Sequence, residues 1–151
     1  MISTVLVVCE GNLYRSPIAE ALLQAALPAC EVRSAGLHAA LGVPAPAILK
    51  RMFAARGLAR PHWAAWQIGQ ADVLKADLLL AMESVQKCEL ERRYRAAAGK
   101  TFLLGGTHCG EIAVPHRGGT QALERCFQQI ESSVPGWVQR INALNGAYAH
   151  G

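Results

Sequence analysis

The run Thr4-Val5-Leu6-Val7-Val8-Cys9 limits the fold more than any other stretch of the chain. It is β-branched and apolar with no polar alternation, the pattern of a strand covered on both faces, and such strands belong to parallel sheets with helices packed above and below. Glu10-Gly11-Asn12-Leu13-Tyr14-Arg15 breaks the run, and Ser16-Pro17 then opens a helical periodicity from Ile18 to Leu27. Ser16 can cap that helix, and Pro17 at its first position has no amide to leave unpaired.

The alternation continues. Glu31 to Ser34 reads as a second short strand ended by Ala35-Gly36, and Pro46 to Arg56 as a helix stopped by Gly57. A third strand, Asp77 to Met82, precedes a polar helix from Ser84 to Tyr94. Thr101 to Leu104 is a fourth strand, broken by Gly105-Gly106. Residues 105–119, with five glycines and one proline, read as a long loop. The last helix runs from Thr120 to Leu144, with an interruption expected at Pro135-Gly136. Without repeats or linkers, residues 1–151 read as one domain of α/β class with a mostly parallel sheet. Ligands of such sheets bind at the carboxyl ends of the strands, which is where Cys9 lies.

Composition excludes several classes. A chain of 151 residues, 52% of them hydrophobic, can fold without a disulfide or metal staple and is not a disordered linker. Fifteen Lys+Arg against eleven Asp+Glu leave a charge of +4, scattered except at Arg92, Arg93 and Arg95. That distribution speaks against nucleic acid and suits a small anionic ligand. The apolar run 5–8 is too short for a membrane span or a signal segment, so no membrane insertion and a cytoplasmic location are expected. Five cysteines without a CxxC pair then read as free thiols.

Cys9 to Ser16 has the spacing C-x5-R-S between a buried strand and a helix start. Backbone amides of a tight loop at a helix N-terminus converge into a cradle for a tetrahedral oxyanion. Gly11 and Asn12 are residue types that tolerate the left-handed backbone such a cradle needs. Arg15 offers a planar fork for two phosphate oxygens. Cys9, beside the positive helix end and Arg15, should carry its sulfur as a thiolate near neutral pH. Ser16 can donate a hydrogen bond to that thiolate and ease its later departure.

The segment from Val8 through Cys9-Glu10-Gly11-Asn12-Leu13-Tyr14-Arg15-Ser16-Pro17 to Leu22 resembles the signature of the low-molecular-weight protein tyrosine phosphatases, in the style of their bacterial branch. The likeness continues through Ser34-Ala35-Gly36, Ala76 to Glu83 and Lys100 to Gly105. The resemblance implies a three-layer sandwich, a four-stranded parallel sheet flanked by helices, with the phosphate-binding loop (Glu10 to Arg15) after the first strand. It also implies no metal or cofactor and two-step hydrolysis through a phosphocysteine. The substrate it implies is a phosphotyrosine protein, such as a bacterial tyrosine kinase of exopolysaccharide export. Nothing in the sequence sets an oligomeric state.

Two departures from that family stand out. A second cysteine usually precedes the arginine and can form a disulfide with the nucleophile; here Tyr14 stands there, so that redox switch is expected to be missing. The family's general acid is the aspartate of an Asp-Pro-aromatic motif, and Glu111 to Gly119 aligns around it with Val114 at the aspartate and His116 at the aromatic. Losing a general acid costs ~10²–10⁴-fold in rate. Three readings follow: a slow phosphatase, a phosphatase whose acid is His116 or Glu111, or a phosphotyrosine-binding protein without turnover. Arsenate reduction, another activity of the fold, needs resolving cysteines, and Cys88 has no partner at a convincing spacing.

Other residues have plainer readings. His108, Cys109 and His116 lack a fourth metal ligand at a recognised spacing. Cys30, Cys88 and Cys126 read as small apolar fillers in or beside helices. Trp63 and Trp66 fall in a loop and read either as packing beneath it or as an aromatic wall of the cleft. Arg92-Arg93-Tyr94-Arg95 reads as a solvated helix end. The rim after Gly36 offers Ala40 and Leu41, with no aromatic to sandwich a phosphotyrosyl ring.

Overall fold

The computed structural model describes residues 1–60, 64–115 and 119–149. Strands β1 (Thr4–Cys9), β2 (Glu31–Gly36), β3 (Leu78–Ala81) and β4 (Thr101–Leu103) form an all-parallel sheet in the order β2-β1-β3-β4. The helices are α1 (Arg15–Ala26), α2 (Ala47–Ala55), α3 (Gln70–Lys75), α4 (Ser84–Arg93), α5 (Gly106–Cys109) and α6 (Gly119–Ala149), with a 3-10 turn at Arg95–Ala97.

Side chains of a strand alternate between faces, and both faces here are interior. Val5, Val7, Cys9, Leu78 and Leu80 join one core with residues of α1, α2 and α6. Leu6, Val8, Leu79 and Ala81 join a second core with residues of α3 and α4. The uniformly apolar run thus has its physical reason, and the three-layer α/β sandwich with four parallel strands is the observed architecture.

The chain leaves β1 toward β2 and later returns to β3 on the other side, so the strand order reverses beside the carboxyl end of β1. That crevice is the ligand position of open α/β sheets. Cys9 pairs in register with Gly36 at the end of β2, and the amides of Leu37 and His38 donate to the carbonyls of Cys9 and Glu10 at 2.9 Å each. The loop after β1 is thereby pinned on its carbonyl side.

Four local expectations need correction. Helix α1 begins at Arg15 with Tyr14 as N-cap and no side-chain cap, so Ser16 does not cap it and Pro17 is its third residue. Pro17 is still tolerated there, because first-turn amides have no intrahelical acceptor. Helix α6 runs without a break through Pro135 to Ala149. Beyond the proline, Trp137 and Ile141 are buried in the core and Trp137 Nε1 donates to the Leu104 carbonyl at 2.8 Å, so packing overrides the lost amide. Strand β2 extends to Gly36, because pairing with β1 continues to Cys9. The six-residue α3 and four-residue α5 are too short for periodicity to reveal, and α5 occupies part of the expected long loop.

Gly36 leaves no room at the end of β2: an added Cβ would lie 2.7 Å from the Glu10 carbonyl oxygen and 2.9 Å from both the Gly11 carbonyl carbon and the Ala39 Cβ. Two of those neighbours are backbone of the loop after β1. Gly36→Ala should therefore lower stability by about 1–3 kcal/mol, the scale of an overpacked core. Urea unfolding measures it, and an unchanged midpoint would mean that the loop can yield.

Candidate active site

Cys9 ends β1 with 3% of its surface exposed, and its sulfur lies against the loop that follows. The Asn12 backbone N–H donates to Sγ at 3.2 Å, and Ser16 Oγ lies 2.9 Å from it. Asn12 holds φ 57°, so the left-handed residue of the loop is Asn12 rather than Gly11. Its buried side chain is used on every side: Nδ2 donates to Ser16 Oγ at 2.8 Å and to Ser34 Oγ at 2.9 Å, while Oδ1 accepts the Trp66 N–H at 2.9 Å.

Arg15 is buried at the start of α1. Its Nη1 donates to Glu83 Oε2 and to the Ile112 carbonyl, both at 2.8 Å. Glu83 is in turn held by Gln86 Nε2 at 3.0 Å, and the Ile112 amide donates to the Met82 carbonyl at 2.9 Å. Two bonds from one nitrogen of the guanidinium thus fix its position. Glu10 is exposed, with its carboxylate 2.5 Å from His38 Nδ1. Leu13 and Tyr14 are half-buried, and Tyr14 packs against the core around α1.

Beyond Ile112 the chain carries the aligned acid position. Val114 is 39% exposed and, with Ala113 and Pro115, lines one side of a groove of about 660 Å³ whose other side is α6, including Arg125 and Cys126. No carboxylate belongs to that lining among the described residues. Glu111 points its carboxylate to the start of α4, accepting the Ser84 N–H at 2.9 Å. Hydrogen bonds from the Ser84 backbone and hydroxyl hold its carboxyl below the usual range. An acid strengthened in this way is ionised at neutral pH and occupied as a helix cap, so Glu111 is a poor proton source. His116 and Trp63 lie outside the described residues.

The remaining candidates are spread elsewhere. His108 Nε2 pairs with Ser132 Oγ at 3.1 Å and Cys109 Sγ with Ser133 Oγ at 3.5 Å, both against α6. Cys30 and Cys126 are buried, and burial pushes the Cys126 thiol up to about 11. Cys88 is exposed on α4 and fills no core, against expectation. Trp66 is 52% exposed and donates Nε1 to Asp72 Oδ2 at 3.1 Å, so it does not pack beneath its loop. Ala40 and Leu41 are exposed on the rim. Arg93 is more than a solvated end: it reaches the Leu37 carbonyl, Glu89 and His38 beside the mouth. Sequence reading gave no role to Glu83, although its place just beyond the carboxyl end of β3, next to β1, is where site residues of such sheets gather.

The chain that brings a strand-end cysteine within reach of an amide and a hydroxyl, with an arginine locked beside it, is similar over most of its length to known proteins. Residues 4–145 match the family profile described as low molecular weight phosphotyrosine protein phosphatase. The probable low molecular weight protein-tyrosine-phosphatase EpsP of Ralstonia nicotianae is 41% identical, over 95% of this chain and 99% of the relative. The crystal structure of the tyrosine phosphatase Wzb from Escherichia coli K30 in complex with sulphate superposes with a TM-score of 0.87 at 32% identity, covering 93% of this chain and 99% of that one. The YwlE arginine phosphatase from Geobacillus stearothermophilus gives 0.85 at 31%, covering 93% and 94%. By the extent of these matches, the chain belongs to the low molecular weight phosphotyrosine protein phosphatase family.

Proposed function

We propose that this chain is a single-domain phosphotyrosine-protein phosphatase that works through a phosphocysteine and has a weakened acid step. The observation that carries the reading is the enclosure of Cys9 Sγ by the Asn12 amide and the Ser16 hydroxyl, in a loop at the start of α1. Cys9 Sγ thus lies within hydrogen-bond reach of both groups at the helix start, the setting of a sulfur nucleophile. In the first step Cys9 sulfur attacks phosphorus and the bond to the tyrosine oxygen breaks. The amides of Glu10 to Arg15 and the Arg15 fork hold the phosphoryl oxygens as charge shifts. In the second step water attacks the phosphocysteine, the thiolate leaves toward Ser16, and phosphate is released.

The leaving oxygen must end with a proton, and here the chain departs from its family. The Ile112 carbonyl is bonded to Arg15, so Val114 lies within ~7 Å of chain from that anchor. A valine has no proton to give, and Glu111 is committed to Ser84. Substrates whose leaving group departs unprotonated are thus handled better than phosphotyrosine. The missing acid also favours a second reading, capture of phosphotyrosine without turnover. Resemblance to the bacterial branch supports a tyrosine kinase of exopolysaccharide export as substrate, and the likeness to an arginine phosphatase makes phosphoarginine the control.

Release of phosphate from p-nitrophenyl phosphate, abolished by Cys9→Ser, is the expected result; stable capture of a phosphopeptide without release would support the binding reading instead. Arg15→Lys should lose most vanadate affinity and activity while keeping the charge, because an ammonium cannot replace the fork; near-normal binding would remove Arg15 from the site. A tyrosine phenol has a pKa of about 10 and needs the proton more than p-nitrophenol does. Val114→Asp should therefore raise turnover of phosphotyrosine peptides by ~10²-fold or more, with a smaller gain on p-nitrophenyl phosphate. Little gain there, together with a large loss in His116→Ala, would assign the acid to His116.

A further inference from the structure

Arg125 is an exposed cation on the α6 wall of the groove that borders Val114. Its neighbours one helical turn away are Gln121, Ala122, Gln128 and Gln129, so no carboxylate on its own helix face answers it. Glu124 beside it turns to Arg56 instead, at 2.8 Å. Among the described residues no carboxylate pairs with Arg125 or lines the groove, whereas Arg93 on α4 is met by Glu89 at 2.9 Å. The side chains of Gln128 and Gln129, on the same wall, likewise make no hydrogen bond among the described residues. The groove adjoins the cradle. Its apolar wall, Ala113 to Pro115, follows directly on Ile112, whose carbonyl accepts from Arg15 at 2.8 Å. Cys126 forms part of the α6 side, and after burial it is the charges of Arg15 and Cys9 that act on its thiol. Along α6 the lining runs from Ala122 to Ser132, a rise of about 15 Å. That length suits about four residues of extended chain.

We propose that this groove takes the extended peptide beside a phosphotyrosine, and that Arg125 selects an acidic side chain in it. A guanidinium grips a carboxylate through two parallel bonds. A glutamine amide offers both a donor and an acceptor, the two groups that the main chain of an extended segment presents. The wall from Ala113 to Pro115 adds apolar surface with no competing charge. A basic flank would meet Arg125 as a like charge with no acid to offset it. Arg125 is thus a specificity-determining residue that holds the substrate away from the reacting atoms. The inference rests on the reading of the Cys9 site as a phosphotyrosine site.

The test uses two fluorescent phosphotyrosine peptides that differ only in their flanking residues, Asp in one and Asn in the other. Affinity is read by fluorescence anisotropy on the Cys9→Ser protein, which forms no phosphocysteine. The Asp peptide should bind about fivefold more tightly, the upper range for an exposed ion pair, and added salt should shrink that advantage. In the same background Arg125→Ala should remove the advantage and leave the affinity for the Asn peptide unchanged, and Arg125→Glu should reverse the preference. Equal affinity for the two peptides, or an advantage that survives Arg125→Ala, overturns the proposal. So does an Arg125→Ala variant that weakens both peptides alike, since the arginine would then act on the fold. A separate outcome concerns the function itself: if the same peptides bind as well without their phosphate, the phosphotyrosine reading fails, whatever Arg125 contributes.

Discussion

The side-chain amide of Asn12 has two N–H donors and one carbonyl, and its buried surroundings use all three. Leaving any one of them unmade would cost about 1–3 kcal/mol, so the amide has one comfortable orientation. That orientation ties together three segments far apart in sequence: the Ser16 end of α1, the Ser34 position of β2 and the backbone at Trp66. It also holds residue 12 at positive φ, which turns the Asn12 backbone N–H toward Cys9 sulfur. The cradle, the strand beside it and the loop behind it thus share one anchor. Gly36 belongs to the same arrangement, since only a residue without Cβ lets β2 end against the loop.

Much of this was legible in the chain. The apolar run 4–9 could only be a strand with two covered faces, and the spacing from Cys9 to Ser16 placed a cradle at its end. The errors arose where tertiary contacts outweigh local preference. Ser16 reads as a cap because serine before proline usually is one, yet its hydroxyl is taken by sulfur and by Asn12. Pro135 reads as a break, yet Trp137 and Ile141 bury the same face of the helix beyond it. Glu83 and Arg60 could not be matched to Arg15 and Glu20 from sequence, because each pair joins distant elements and no periodicity encodes it.

In the proposed function, phosphoryl binding and proton delivery fall to separate parts of the molecule. The first is built at the β1–α1 junction, from backbone amides, Arg15 and the hydroxyls behind Cys9. The second belongs to the chain after Ile112, where Val114 faces a groove bordered by α6. Loss of an acid from the second part leaves every contact of the first in place. A chain of this family can therefore keep its grip on a phosphoryl group whatever happens to its rate of turnover.

The attachment between those two parts is a bond from Arg15 Nη1 to the carbonyl of Ile112, backed by the Ile112 amide on Met82. Both atoms on the Ile112 side are main chain, so the tether does not consult the identity of the side chains that follow. Sequence drift beyond that knot is mechanically invisible to the arginine. The segment behaves as an interchangeable attachment, open to grafting from a relative, and its chemistry can be rewritten without rebuilding the floor proposed to hold the phosphate.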